Sequence, residues 1–197
     1  MERAGFERDH IQREDFERGQ MQRVWVVGSS GSGKSTVGRR LADLLGYDYV
    51  ELDAIHHQPG WVELDRVSFR TRIEPLVHGD RWVIDGNYAK VADLIVARAD
   101  TVVWLDLPRA LVMRRLVLRT AVRGLTRAEL WNGNKERLAN LFRLDPAQSV
   151  VRWAWVHWEE YQDRYGDLQR SFEGRFVRLR SDAAVDDFLT AVAEETV

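Results

Sequence analysis

The 197 residues carry 29 Lys and Arg against 31 Asp and Glu, a formal net charge of −2, with no cysteine. That balance gives no electrostatic case for nucleic-acid binding, which depends on neutralising phosphates, and disulfides, thiol catalysis and thiolate metal sites are excluded. The length suits one α/β domain with a modest insertion, and no run suits a bilayer span or a secretory leader, so a cytoplasmic enzyme is expected, monomer or homodimer, with no membrane or nucleic-acid partner.

In chain order, residues 1–20 are mostly charged, and Phe6, Ile11 and Phe16 recur at a spacing of five that is neither helical nor strand-like. A disordered tail is expected there, with one folded domain over 21–197. The first strand, 23–27, runs into GSSGSGKST at 28–36. Gly28, Gly33, Lys34 and Ser35 satisfy G-x-x-x-x-G-K-[ST]. In such a loop the backbone N–H groups of Gly28, Ser29, Ser30, Gly31, Ser32, Gly33, Lys34, Ser35 and Thr36 curl around phosphate oxygens. Lys34 reaches the β- and γ-phosphates, the Ser35 hydroxyl sits on Mg²⁺, and the following helix adds its positive end. A plain Gly/Ser turn would need neither the strand before nor the amphipathic helix after (Leu41, Leu44, Leu45). Lysine is also scarce: only Lys34, Lys90 and Lys135 occur.

Further strand-like runs at 47–52, 81–84, 101–105 and 175–179 alternate with helical stretches, and several are continuously apolar. This rhythm predicts a central parallel sheet of five strands covered on both faces, with ligands at the carboxyl ends of the strands. Three of those ends carry a carboxylate: Asp53, Asp85 and Asp106. Any single one reads as a turn former, but three beside a phosphate loop point to acceptor or metal chemistry. Asp53 is the candidate to orient a hydroxyl acceptor and take its proton, and Asp85 the candidate for Mg²⁺ contact through water. Asp106, before Pro108, reads as structural.

Two stretches exceed plain crossovers: 54–80, taken as an acceptor-binding insertion with a helix marked by Val67, Phe69, Ile73 and Leu76, and an arginine-rich stretch taken as a lid over 114–135. Arg115, Arg119, Arg123 and Arg127 recur every four residues and form a stripe on one helix face. A solvated basic face gives the same pattern, but the position after the fourth strand favours phosphate contact by Arg115, Arg119 and Arg123, with Gly124 ending or hinging the helix. His56 and His57 invite a zinc reading that fails for want of converging partners; acceptor hydrogen bonding by His57 fits better. Trp61, in a turn, is a candidate to stack on an acceptor ring, and Asp85 and Asn87 complete the acceptor set. Asn132-Gly133-Asn134 reads as a tight turn starting a helix at Lys135-Glu136. Val151, Trp155, Trp158, Gln162 and Tyr165 read as one face of a packed helix.

The ordered set of 28–36, ELDAIHH at 51–57, PGW at 59–61, WVIDGNY at 82–88, ADTVVWLDLPR at 99–109 and WNGNKE at 131–136 is similar to the nucleoside-monophosphate-kinase-like branch of P-loop kinases. Within that branch it resembles the adenylate-kinase-like proteins labelled DNA topology modulation proteins. The resemblance covers nearly everything from Arg23 onward. It implies a three-layer α/β P-loop NTPase fold with strand order 2-3-1-4-5, ATP as donor, Mg²⁺, an arginine-bearing lid, and adenine passing Arg180, Ser181 and Asp182. Adenylate kinases carry D-G-F-P-R where this chain has Asp85-Gly86-Asn87-Tyr88-Ala89, so the arginine that holds an acceptor phosphate is missing. Asp53 in turn resembles the strand-two aspartate of small-metabolite kinases that phosphorylate a hydroxyl. The expected function is ATP-dependent phosphoryl transfer to a nucleoside, nucleotide or polyhydroxy metabolite, with Lys34, Asp53 and the lid arginines catalytic. The alternative is a nucleotide-binding regulatory ATPase without a small acceptor.

Overall fold

From Val24 to Val27 every side chain of the first strand has a core to enter. In β1 (Arg23–Gly28), Val24 and Val26 pack on one side of the sheet while Trp25 and Val27 pack on the other, all at 2% exposure or less. Successive strand residues point to opposite faces, so a strand covered twice loses the apolar–polar alternation of a half-exposed one. The computed structural model describes residues 21–126, 129–135 and 149–196; the expected tail over 1–20, Arg127 and Glu136 lie outside them.

The sheet is parallel throughout, in the order β2 (Asp48–Glu51), β5 (Trp82–Asp85), β1, β6 (Thr101–Leu105), β7 (Arg175–Leu179). Counting these five strands alone gives 2-3-1-4-5, the expected topology. One face carries α1 (Lys34–Leu45) and α8 (Asp182–Thr196), whose Val37, Leu41, Phe188 and Leu189 close on Val24, Val83 and Val103. The other face packs Trp25, Ile84 and Trp104 against Phe69, Ile95 and Tyr165. These last three come from α3 (Arg66–Val77), α4 (Ala92–Val96) and α7 (Trp158–Ser171). Among the described residues no helix is long and apolar enough to cross a membrane.

Between β2 and α3 the chain forms α2 (Leu52–His56) and a small hairpin, β3 (His57–Gln58) and β4 (Val62–Glu63), joined by a 3₁₀ turn over Pro59–Trp61. Asp65 caps α3, accepting from the backbone N–H of Val67 (2.9 Å) and Ser68 (3.0 Å), which satisfies two otherwise orphaned donors.

Three expectations on helices are corrected. The buried face of α3 is Phe69, Ile73 and Val77, four residues apart, while Val67 is 75% exposed and Leu76 37% exposed. The helix α5 (Arg109–Thr126) runs through Gly124, because the roughly 1 kcal/mol cost of an interior glycine is small beside burial of Val112, Leu116 and Thr120. The expected single face over 151–165 is split: α6 (Val150–Val156) and α7 are separated at His157, whose backbone leaves the helical region. Trp155 is therefore exposed, with the Arg109 guanidinium 3.8 Å above its ring.

Asp106 is held inside this framework. One carboxylate oxygen accepts from Gln162 (2.7 Å), and the other accepts from Arg178 through Nε (2.9 Å) and Nη2 (2.6 Å), joining β6, β7 and α7. Asp106→Ala strands the Arg178 guanidinium over Trp104 and removes charge-assisted bonds. We expect unfolding free energy to fall by about 2 kcal/mol, read from urea denaturation; an unchanged midpoint would show that the cluster contributes nothing.

Candidate active site

The loop leaving β1 closes tightly on its neighbours. Gly28 has φ 151°, and a Cβ there would lie 2.9 Å from the Leu105 carbonyl oxygen; at Gly31, φ 90°, it would lie 2.9 Å from the Leu116 Cβ of α5. Only glycine fits such backbone and such contacts. The loop turns through Ser32 N–H to Ser29 C=O (3.1 Å), and Ser29 and Ser32 are buried while Lys34 opens α1. The result is a backbone cradle followed by a helix N-terminus, the chemistry that receives phosphate.

The carboxyl end of β5 braces this cradle. Gly28 N–H donates to Asn87 Oδ1 (3.3 Å), the Asn87 amide nitrogen donates to Gly28 C=O, and the Tyr165 hydroxyl donates to Asn87 Oδ1 (2.9 Å). Asn87, expected at the acceptor, is thus turned toward the phosphate loop with both amide atoms engaged.

Asp85 ends β5 beside Val26 of β1. It is 1% exposed, and its Oδ2 has no hydrogen-bond partner among the described residues. Burial pushes its carboxyl up to about 6, opposed by the Lys34 charge and a Ser35 hydroxyl bond, and reinforced by the nearby Glu51 and Asp53. A buried oxygen with an unused lone pair beside a hydroxyl and a lysine suits a hydrated Mg²⁺, which keeps several waters and takes few protein ligands.

Asp53 lies in the first turn of α2, where its Oδ1 accepts from the Tyr88 hydroxyl at 2.6 Å. The same hydroxyl lies 3.2 Å from His57 Nε2. Burial first, and Asp53 second, push the Tyr88 phenol far above its ordinary range, so it stays a proton donor that fixes the carboxylate. His56 faces inward at 1% exposure, its ring 4.5 Å from Tyr88 and 4.8 Å from Phe69, and burial lowers its pKa. Its Nε2 lies 3.3 Å from Glu63 Oε2, and its ring meets that of His57 edge-on at 5.3 Å. Trp61 is 38% exposed, edge-on to His57 at 5.4 Å.

The arginine stripe divides. Arg119 Nη2 reaches Ser30 Oγ of the phosphate loop at 3.3 Å, whereas Arg115 Nη2 pairs with Asp182 at 2.7 Å. That pair borders a cleft of about 350 Å³ between α1 and α8, floored by Ser32, Gly33 and Leu107; it adjoins the segment expected to pass adenine. Arg123 lies one turn beyond Arg119 on α5. After the turn Trp131–Gly133, Lys135 forms an isolated bridge with Glu129, and the helix expected from Lys135-Glu136 onward lies outside the described residues. Sequence reasoning missed Tyr88 and the side chains of Asn132 and Asn134; Tyr88 stood in a quoted motif, but its partner is 35 residues away.

A family model for shikimate kinase matches residues 30–60. The chain is 32% identical over 115 residues to a shikimate kinase of Synechococcus sp. (strain RCC307), covering 51% of this chain and 58% of that protein. It is 35% identical over 112 residues to one of Chlorobium chlorochromatii (strain CaD3), covering 49% and 59%. These matches thus span well under two thirds of each relative. Among solved structures, a shikimate kinase from Acinetobacter baumannii in complex with shikimate superposes with TM-score 0.53 at 19% identity, covering 92% of this chain and 96% of the other. A gluconokinase from Sinorhizobium meliloti 1021 gives 0.50 at 21%, covering 88% and 94%. At that identity the structural likeness speaks to the fold, and the fold is that of P-loop kinases, as the sequence resemblance implied.

Because the native carboxyl of Asp85 titrates near 6 and an unfolded one near 4, its ionised form is penalised on folding above pH 6. The penalty shrinks as pH falls toward 4, where both states bind the proton. Asp85→Asn should therefore stabilise the protein by about 2–3 kcal/mol at pH 8, with no gain below pH 4, in urea titrations at both pH values. Equal stability at pH 8 would contradict the burial of a charge there.

Proposed function

We propose that this chain is an ATP-dependent kinase that moves the γ-phosphoryl group of ATP onto a hydroxyl of a small acceptor, a nucleoside or a polyhydroxy metabolite. The observation that carries the reading is the Asp53 carboxylate, held by the Tyr88 hydroxyl at 2.6 Å and close enough to Asp85, itself beside Lys34 and Ser35, to raise its pKa. A phosphate acceptor arrives ionised and calls for arginine; a hydroxyl calls for a positioned proton acceptor.

Phosphoryl transfer needs positioning and charge neutralisation more than covalent help. The backbone of 28–36 would cradle the phosphates, with Lys34 on the β- and γ-groups and the base in the cleft by Asp182. Ser35 and, through water, Asp85 would hold Mg²⁺, whose charge would offset that of the phosphates. Arg119, whose Nη2 reaches Ser30 Oγ of the phosphate loop, would neutralise charge on the transferring group; Arg115 and Arg123 would join as the lid closes. The acceptor oxygen bonds to the γ-phosphorus as the bond from that phosphorus to the β–γ bridging oxygen breaks, and the acceptor proton passes to Asp53. His57 and Trp61 flank the acceptor. The relatives named shikimate kinase and the gluconokinase of the same fold support a hydroxyl-bearing acceptor of small size. The net charge of −2 supports the absence of a nucleic-acid partner, and a monomer or homodimer suffices for such a site.

The test is ATP turnover with Mg²⁺ across nucleoside monophosphates, nucleosides, polyols and sugar acids, with Lys34→Ala as the blank. One hydroxyl class should stimulate turnover strongly, and Lys34→Ala should abolish it at unchanged melting temperature. Asp53→Asn should lower kcat by about two to four orders of magnitude while leaving ATP binding intact. Slow turnover indifferent to every acceptor would instead support a nucleotide-gated regulator.

A further inference from the structure

Two described residues other than glycine have left-handed backbone, Trp61 (φ 61°) and Asn132 (φ 56°). For a bulky side chain such a conformation is unfavourable and persists only where surrounding contacts enforce it. The two residues lie in separate turns, and those turns hold each other. Asn132 Nδ2 donates to the carbonyls of Ala54 (3.0 Å) and His57 (2.6 Å). Asn134 Nδ2 donates to Gln58 C=O (2.9 Å), and its Oδ1 accepts from Trp61 N–H (2.9 Å). Asn134 is 4% exposed, so its amide is committed to this junction. Every one of these bonds lands on the segment that presents Asp53 and His57, and none serves the phosphate loop.

We infer that this clasp completes the acceptor site and sets its specificity for a ring-shaped, hydroxyl-bearing acceptor such as a cyclic polyol, sugar or nucleoside. The clasp brings the Trp131 ring parallel to His57 (5.9 Å between centroids, 25° between planes), with Trp61 edge-on to the same histidine. His57 in turn meets the Tyr88 hydroxyl that orients Asp53. An aromatic wall thus stands beside a carboxylate suited to take a hydroxyl proton. Flat aromatic faces accept the apolar face of a ring while leaving its edge free for hydrogen bonds, which suits a ring acceptor better than a linear chain. Trp131 is the wall; Asn132 and Asn134 are positioning residues that fix it. The inference rests on the kinase reading, since it assigns the acceptor side of that same site.

The test uses Asn132→Asp, which keeps size and tolerance of the left-handed backbone but replaces the amide donor with oxygen facing two carbonyls. With a ring acceptor that the wild type phosphorylates, the acceptor KM should rise about tenfold or more through loss of two hydrogen bonds, with KM for ATP and kcat changed less than about twofold. Asn132→Gly, which retains the backbone without the amide, should behave alike. Trp131→Leu should raise the same KM and decides the matter if the Asn132 variants do not fold. Folded variants with unchanged acceptor KM overturn the clasp, as does wild-type preference for an acyclic acceptor over every cyclic one. A wild type that phosphorylates no acceptor overturns the kinase reading itself, and the inference with it.

Discussion

The pairing of β5 with β1 sets the distance on which the rest of the site depends. Val26 sits opposite Asp85, and just beyond that register Asn87 takes both backbone groups of Gly28. The first strand delivers the phosphate loop and the fifth delivers Asp85, Asn87 and Tyr88, so one parallel ladder holds the phosphate loop against the carboxylates and Tyr88. Tyr165, 1% exposed on α7, locks the junction by donating to the Asn87 oxygen. A buried network of this kind favours one arrangement, because breaking any bond leaves a desolvated polar group.

Charge is sorted along the same edge. Lys34 and Arg119 flank the phosphate loop, while Glu51, Asp53 and Asp85 gather beside it, Glu51 and Asp85 on adjacent strands. Desolvation and like charge both work against ionised Asp85. The structure tolerates this because Lys34 and Ser35 oppose it, and a cation bound there would oppose it further. Such a cluster costs stability in the absence of ligand, a common property of functional sites. The covered sheet, with Trp82, Trp104 and Phe69 in one core and Phe188 in the other, supplies the stability that offsets it.

Local pattern carried much of this. The strands at 101–105 and 175–179 are read to the residue: TVVWL is buried throughout and gives an unbroken β-branched and aromatic run, while RFVRL alternates buried and half-buried positions between turn signals. The phosphate loop is legible because its spacing is fixed by backbone geometry alone. What stayed hidden involves partners far apart in sequence. Tyr88 meets Asp53 across 35 positions, Asn87 meets Gly28 across 59, and Asn132 meets Ala54 across 78. Nothing in the letters D-G-N-Y says that the asparagine faces the loop and the tyrosine faces the aspartate; the twist of the chain after β5 decides it. The break at His157 was likewise invisible, since the residues on both sides keep a helical period while tertiary packing divides them.

The most direct test of the central claim, transfer to a hydroxyl under the control of Asp53, is the chemical identity of the product. Phosphorus NMR of a reaction with ATP, Mg²⁺ and the best acceptor should show a new phosphomonoester resonance growing in step with ADP. A new phosphoanhydride resonance would mean that the acceptor is a phosphate, and ADP accompanied only by inorganic phosphate would mean that water is. Either result would contradict the role assigned to Asp53 and Tyr88.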